Sequence, residues 1–172
     1  MIIHTQRLCL RPWSDADAPA LFELARDPRI GMLCGWKPFE CIDDAHEALS
    51  TVLAAPDSYA VTLGSTGEIV GSIALRIDTD SPEATVADIG YWIGVPYWGN
   101  GFATEAGDAI IDRARELGVT TIVLKYFDGN NASRRVSEKL GFAWRSREEG
   151  VEYPLIGKRL TVHRTELVLS GR

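Results

Sequence analysis

Between Asp88 and Ala106 the chain runs from a carboxylate through strand-forming residues into a turn with two glycines and an asparagine. In Gly99-Asn100-Gly101, successive main-chain N–H groups can converge on one point with no side chains in the way, which makes an anion cradle. A helix beginning just after the turn adds the partial positive charge of its first turn. Gly99, Asn100, Gly101, Phe102 and Ala103 can therefore hold a pyrophosphate together. Taken alone, the same spacing also describes a merely tight strand-to-helix connection. Downstream, Asn130-Asn131-Ala132-Ser133 precedes a short helix and reads either as a cap or as a side-chain amide for a ligand.

The two segments acquire a common meaning from a resemblance. Trp98-Gly99-Asn100-Gly101-Phe102-Ala103 resembles motif A of the GNAT acetyltransferase superfamily, Gln/Arg-x-x-Gly-x-Gly/Ala, with Trp98 departing at the first position. Gly90-Tyr91-Trp92 followed by Trp98 to Ala106, including Thr104 and Glu105, is similar to the branch that acetylates ribosomal-protein amino termini. Thr5-Gln6-Arg7-Leu8 to Trp13 is similar to that branch as well. Asn130 to Phe142 resembles motif B, in which an Asn bonds the pantetheine arm of the coenzyme and the helix flanks it. The resemblance spans about residues 5–168 and implies an acyl-CoA N-acyltransferase fold.

That resemblance implies direct transfer of an acetyl group from acetyl-CoA to a primary amine, with acetyl-CoA as co-substrate. Ile93, Gly94 and Val95 occupy the place where related enzymes splay one strand from the next around a bulge and present donors to the oxyanion. Gly94 is the residue expected to relax the ladder. Gly99 to Thr104, with Trp98, are the expected phosphate contacts, and Asn130 and Ser133 the expected pantetheine contacts. Asp88 is the candidate base, with Glu105 and Glu138 as alternatives that helix capping or surface pairing explains more simply. Many relatives place a Tyr where this chain has Ser137, which makes Ser137 the candidate donor to the departing thiolate. Arg134, Arg135 and Lys139 are open between coenzyme phosphates and solvent.

The elements that must position these groups follow from pattern. Arg7 to Pro12 alternates as a strand, and a helix capped by Ser14 or Asp15 runs to Ala25. Residues 27–40 read as a loop whose apolar members either tuck onto the core or rim a substrate pocket. A helix from Asp43 or Asp44 to about Ala54 precedes a hairpin of Ser58–Leu63 and Glu68–Arg76. Ala84–Val95 is the strand before the cradle, and the next helix buries Ala103, Ala106, Ile110, Ala114 and Leu117, closing at Gly118. Thr121–Tyr126, a helix over 132–140, Phe142–Glu148 and Arg159–Ser170 complete the chain, with residues 149–158 as a variable loop. The expected class is α/β (α+β): a mixed, mostly antiparallel sheet of about six to seven strands flanked by helices. With no repeat or composition break, residues 1–172 read as one domain.

Composition excludes several classes. A 172-residue chain with 45% hydrophobic residues and five Trp can bury an ordinary core. A net charge of −6 argues against a nucleic-acid-binding face and suits a cationic substrate better. Cys9, Cys34 and Cys41 form no pair at metal-ligand spacing, and His4, His46 and His163 are dispersed, so no metal is expected. Free thiols, no secretory start and no membrane-length apolar run point to the cytoplasm and to no membrane partner. Thr104 stands where a dinucleotide fingerprint needs a third small residue, and Gly64-Ser65-Thr66-Gly67 is a hairpin turn rather than a nucleophile elbow. Two rivals to acetylation of a protein amino terminus stay open: transfer to a small amine such as a polyamine or antibiotic, and a coenzyme sensor that catalyses nothing. Related enzymes often dimerise, so a homodimer is an expectation.

Overall fold

The computed structural model describes residues 1–77 and 85–169. Ala84 and Ser170, assigned above to strands, lie outside the described residues. Eight strands form one sheet: β1 Ile3–His4, β2 Leu8–Pro12, β3 Ser58–Leu63, β4 Ile69–Ile77, β5 Val86–Ile93, β6 Thr121–Phe127, β7 Ala143–Tyr153 and β8 Lys158–Val168. Their spatial order is β1-β2-β3-β4-β5-β6-β8-β7. All neighbours are antiparallel except β5 and β6. A parallel pair needs a crossover of a dozen or more residues, and α4, Phe102–Glu116, supplies it.

The sheet is covered on both faces. Ile110, Ile111 and Ala114 of α4 pack with Leu8, Leu10, Val61, Ile73, Ile89, Ile122 and Leu124 in the main core, beside Leu140 after α5, Asn131–Lys139. On the other face, Ala18, Leu21 and Ala25 of α1, Ala18–Ala25, meet Ala45 and Leu49 of α3, Ile42–Ser50. Trp36, Phe39 and Trp92 pack against this second cluster. Strand alternation therefore sends Ile89 and Tyr91 to the α4 face and Trp92 to the α1 face.

Four expectations change. Leu117, expected on the buried face of the helix after the cradle, is the C-cap of α4 and is exposed. The segment 27–40 is not all loop: Pro28–Cys34 forms α2, with the Asp27 side chain accepting from the Arg29 amide and Gly35 ending the helix at φ +82°. Cap, N1 proline and left-handed glycine were all present in the sequence, but seven residues are too few for periodicity to show. The second predicted helix stops at Ser50 rather than near Ala54. The segment 149–158 is mostly strand. A bulge between Glu148 and Val151 absorbs Glu149 and Gly150, the latter at φ +70°, and β7 resumes to Tyr153.

Candidate functional site

The site is organised by a fork between β5 and β6. Their ladder runs from Val86↔Thr121 to Ile89↔Leu124 and then ends, while β5 stays paired with β4 without a break from Ile77↔Ala87 to Gly71↔Ile93. The Gly94 amide donates to the Val70 carbonyl at 2.8 Å, and the Thr121 amide donates to Thr85 at 3.1 Å. These two bonds set the parity of β5: even-numbered residues turn their main-chain groups to β4, odd-numbered ones to β6. Beyond Ile89, the amides of Tyr91 and Ile93 thus face the open side of the fork. The Ile93 amide faces the open side of the fork, where a donor is expected. Gly94 does not, because its N–H is bonded to β4 and the β4–β5 ladder has no bulge. A Cβ there would stand 2.8 Å from Leu24 Cδ2, so the glycine serves packing against α1. Val95 opens a 3-10 turn and its carbonyl accepts from the Trp98 amide at 3.2 Å.

The anion cradle follows directly. Gly99 and Gly101 sit at φ +80° and +79°, where side chains other than glycine are strained, and Gly101 is the N-cap of α4. A Cβ on Gly99 would meet nothing within 4 Å, so the concave side is open. Asn100 Nδ2 ties the turn by donating to the carbonyls of Tyr97 (3.0 Å) and Trp98 (3.3 Å). Trp98, the departure from the family pattern, donates its indole N–H to the Ile93 carbonyl at 2.6 Å and so joins cradle to fork. The first-turn amides of Phe102, Ala103 and Thr104 lack helix partners and add to the positive end of α4.

Arg7 was not foreseen as part of this region. Its guanidinium lies 4.9 Å from the Phe102 ring centroid, donates to the Asn100 carbonyl at 3.0 Å and pairs with Glu105 at 2.7 Å. Glu105 also accepts from the Thr5 hydroxyl (2.6 Å) and the Arg7 amide (2.8 Å). Burial alone would raise the Glu105 carboxyl, but these bonds and the Arg7 charge outweigh it and hold it below the ordinary carboxylate range. Glu105 is thus a staple between the amino-terminal strand and α4, not a free base. The only signal in sequence was the Thr5-Gln6-Arg7 run itself.

Helix α5 closes the other side of the fork. Asn130 Oδ1 accepts from the Ser133 amide at 3.1 Å, a helix cap made with the amide oxygen and not with the side-chain NH2. Ser137 is 1% exposed and donates its hydroxyl hydrogen to the Arg134 carbonyl at 2.8 Å. The donor expected there is therefore committed to the helix, as serine hydroxyls often are at i−3 and i−4 carbonyls. The Tyr91 hydroxyl reaches from β5 across to α5 and donates to Ser133 Oγ at 3.1 Å. Burial pushes this phenol up to about 12. Glu138 pairs with Arg134 at 3.4 Å on the exposed face of α5.

Across the sheet, Asp88 lies on the Trp92 side. Its Oδ1 pairs with Arg76 at 3.3 Å and its Oδ2 with Lys125 at 3.6 Å, so each oxygen already has a cationic partner. The Arg76 guanidinium lies over Gly90, where a Cβ would stand 2.6 Å from Nη2. Two aromatic pairs stand beyond it. Trp36 and Trp92 meet edge to face at 6.4 Å, and Phe127 and Tyr153 at 4.7 Å. Gly35 lies so close to Tyr153 that a Cβ would be 2.6 Å from the ring. Helix α2 thereby bridges the ends of β5, β6 and β7. Cys34, at its end, donates weakly to the Tyr91 carbonyl at 3.9 Å, and burial pushes its thiol up to about 12, which keeps it protonated.

Comparison with known proteins accords with this layout. The Acetyltransferase (GNAT) domain family matches residues 7–143. The chain is 30% identical over 156 residues to YoaA of Bacillus subtilis (strain 168), an uncharacterized N-acetyltransferase, covering 87% of this chain and 85% of that one. The crystal structure of a GNAT-family acetyltransferase from Bacillus anthracis matches with a TM-score of 0.86 at 21% identity, covering 98% of each chain. A proposed ribosomal-protein-serine acetyltransferase from Vibrio cholerae matches at 0.80 and 23% identity, again over 98% of each. At those identities the two structures speak to the fold, while the family rests on sequence matched from Arg7, just ahead of β2, to the first residue of β7. The chain belongs to the GNAT family and is an acetyl-CoA-dependent N-acetyltransferase.

Proposed function

We propose that the acceptor is the α-amino group at the amino terminus of a protein, and that the fork and cradle described above are the acetyl-CoA site. Acetyl-CoA supplies an acetyl group activated as a thioester. Gly99 to Thr104 bind its pyrophosphate through main-chain amides, with Arg7 as a cation at the rim. The amides of Tyr91 and Ile93 face the fork, where a pantetheine arm and a thioester carbonyl have the shape to enter, and the Asn130 amide adds a side-chain donor. The residues fit the ligand on one geometric ground: open space at Gly99 beside a helix N-terminus, and two amides of β5 beyond the last β5–β6 ladder pair.

The observation that carries the acceptor assignment is the pairing of Asp88. Both oxygens of that carboxylate are taken up by cations, Arg76 at 3.3 Å and Lys125 at 3.6 Å, so it stands as an ion-paired group rather than one turned freely to an amine. Deprotonating a lysine-like amine of pKa ~10.4 at neutral pH costs about 4 to 5 kcal/mol, whereas an α-amine near ~7.8 costs about 1. Asp88 lies three residues from Tyr91, roughly 10 Å along the strand, so it acts through water. That suffices for the weaker base alone. The likeness to the Vibrio cholerae protein points the same way.

The test uses peptides that carry both a free α-amine and an internal lysine, beside the same peptides with the α-amine formylated, and a small polyamine. Acetylation confined to the free α-amine is expected. Equal transfer to the formylated peptides or faster transfer to the polyamine would move the assignment to the lysine side chain or to a small amine.

A further inference from the structure

Past Ile89, β6 no longer pairs with β5, and the odd-numbered residues of β5 turn both an amide and a carbonyl into the opening. Both carbonyls meet a side-chain donor in place of a strand: Cys34 reaches that of Tyr91 at 3.9 Å, and the Trp98 indole reaches that of Ile93 at 2.6 Å. A bare carbonyl is costly, so capping is one reason for either contact. The Trp98 contact does more, because its two ends belong to the two halves of the proposed coenzyme site. Ile93 is anchored on its own account: it pairs with Gly71 on β4, and the next amide, Gly94, bonds the Val70 carbonyl. The glycine turn is tied as well, but elsewhere. Asn100 closes it on the carbonyls of Tyr97 and Trp98, the Tyr97 hydroxyl donates to Glu68 at 2.6 Å, and Arg7 donates to the Asn100 carbonyl. Among the described residues, the Trp98 indole makes the one side-chain hydrogen bond from this turn to β5.

We infer that Trp98 is a positioning residue that sets the register between the pyrophosphate cradle and the thioester fork. The inference rests on the turn and the fork being the acetyl-CoA site. Coenzyme A is one molecule with two recognition ends, a nucleotide that carries the phosphates and a pantetheine arm that carries the thioester. Binding one end makes capture of the other intramolecular, and the gain is realised only if the two subsites stand at the spacing that the arm spans. The acetyl carbon makes the same demand, because attack on it needs a fixed near-contact geometry. The end of β5 and the turn are joined through the Val95–Tyr97 3-10 turn, where small backbone rotations can shift one against the other. The rigid indole, bonded to the Ile93 carbonyl five residues back, restricts that freedom. Its residue is 45% exposed, which fits a surface brace better than a core side chain. Trp98 thus acts through Ile93 and the turn, not by touching the thioester.

The test compares acetyl-CoA with its two halves in wild type and in Trp98→Phe, which keeps an aromatic ring and removes the N–H. ADP, as a competitor of acetyl-CoA, probes the turn, and S-acetylpantetheine, as a donor without phosphates, probes the fork, each with the best acceptor of the peptide panel. The Ki of ADP and the kcat/KM of S-acetylpantetheine are expected to stay within about twofold of wild type. The kcat/KM of acetyl-CoA is expected to fall roughly 5- to 10-fold, the worth of one hydrogen bond expressed only where the halves are linked. A purely structural role would lower Tm and move all three together or none. A parallel loss with S-acetylpantetheine would put the role in the fork itself, and a parallel loss with ADP would put it in the turn; either overturns the register role, as does an acetyl-CoA kcat/KM within twofold of wild type. If Trp98→Phe folds poorly, benzothienylalanine at position 98, which keeps the two-ring shape and exchanges the N–H for sulfur, must show the same selective loss, and its absence overturns the role as well. Wild-type protein that fails to bind acetyl-CoA, or on which ADP does not compete with it, would instead remove the turn-and-fork reading itself.

Discussion

The Gly99–Gly101 turn, proposed to hold the coenzyme phosphates, and the Asp88 face of β5, proposed to meet the acceptor, are made of different materials. The cradle is main chain: two left-handed glycines, an asparagine that ties its own turn and the first amides of α4. The acceptor face is side chain: Asp88 between two cations, four aromatic rings and a helix resting on them through Gly35. A main-chain site tolerates almost any neighbouring side chain and demands a particular backbone. A side-chain site demands particular residues brought from four distant segments.

The sharpest way to break that contrast is Gly101→Val. A β-branched residue at φ +79° strains the turn by about 1–3 kcal/mol and disturbs the cradle, so calorimetry should show acetyl-CoA bound roughly 10- to 100-fold more weakly. Unchanged affinity would mean that phosphate is held elsewhere. Next in size is Asp88→Asn. Loss of a proton acceptor working through water should lower kcat about tenfold near neutral pH, with the deficit shrinking as rising pH frees the amine, while coenzyme affinity holds. A deficit constant across pH would reassign Asp88 to holding Arg76 and Lys125 in place.

Gly35→Ala perturbs the acceptor side alone. Its left-handed φ of +82° and the Tyr153 ring 2.6 Å from the new Cβ predict a stability loss of about 1–3 kcal/mol and a raised KM for the acceptor. Acetyl-CoA affinity should not move, and a parallel loss would show that the two faces are coupled through α2. The smallest effect concerns Glu105. Its carboxyl is held below the ordinary range in the folded state, so its contribution to stability is present above the ordinary glutamate pKa and fades as pH falls through the lower folded value. Glu105→Gln should flatten that acid limb in melting curves between pH 3 and 7. An unchanged limb would place the acid sensitivity in another carboxylate, such as Asp17 paired with Arg11.

Legibility in the sequence followed the same division. Gly99 and Gly101 announced their backbone because only glycine adopts those angles freely, and α4 announced itself through Ala106, Ile110 and Ala114 on one face. Helix α2 was hidden by its length, and the second half of β7 by Glu149-Gly150, which reads as a stop and is accommodated as a bulge. Nothing in the sequence beyond the Gly90-Tyr91-Trp92 pattern tells which way the Tyr91 amide points, because parity along β5 needs two hydrogen bonds to other strands before it acquires a sign. The Ser137 expectation followed position and could not see that the hydroxyl would bond Arg134.

By itself, the sequence determined most of the longer elements, the glycine turn before α4 and the family, since each depends on sterics within a few residues or on runs that match as runs. The tertiary structure alone decided where the β5–β6 ladder ends, which amides of β5 are left facing the fork, which cations claim Asp88 and that Arg7 stands beside a cradle more than ninety residues away. Those outcomes are settled by pairing between distant strands, and no local preference of the chain encodes which partner a strand will lack.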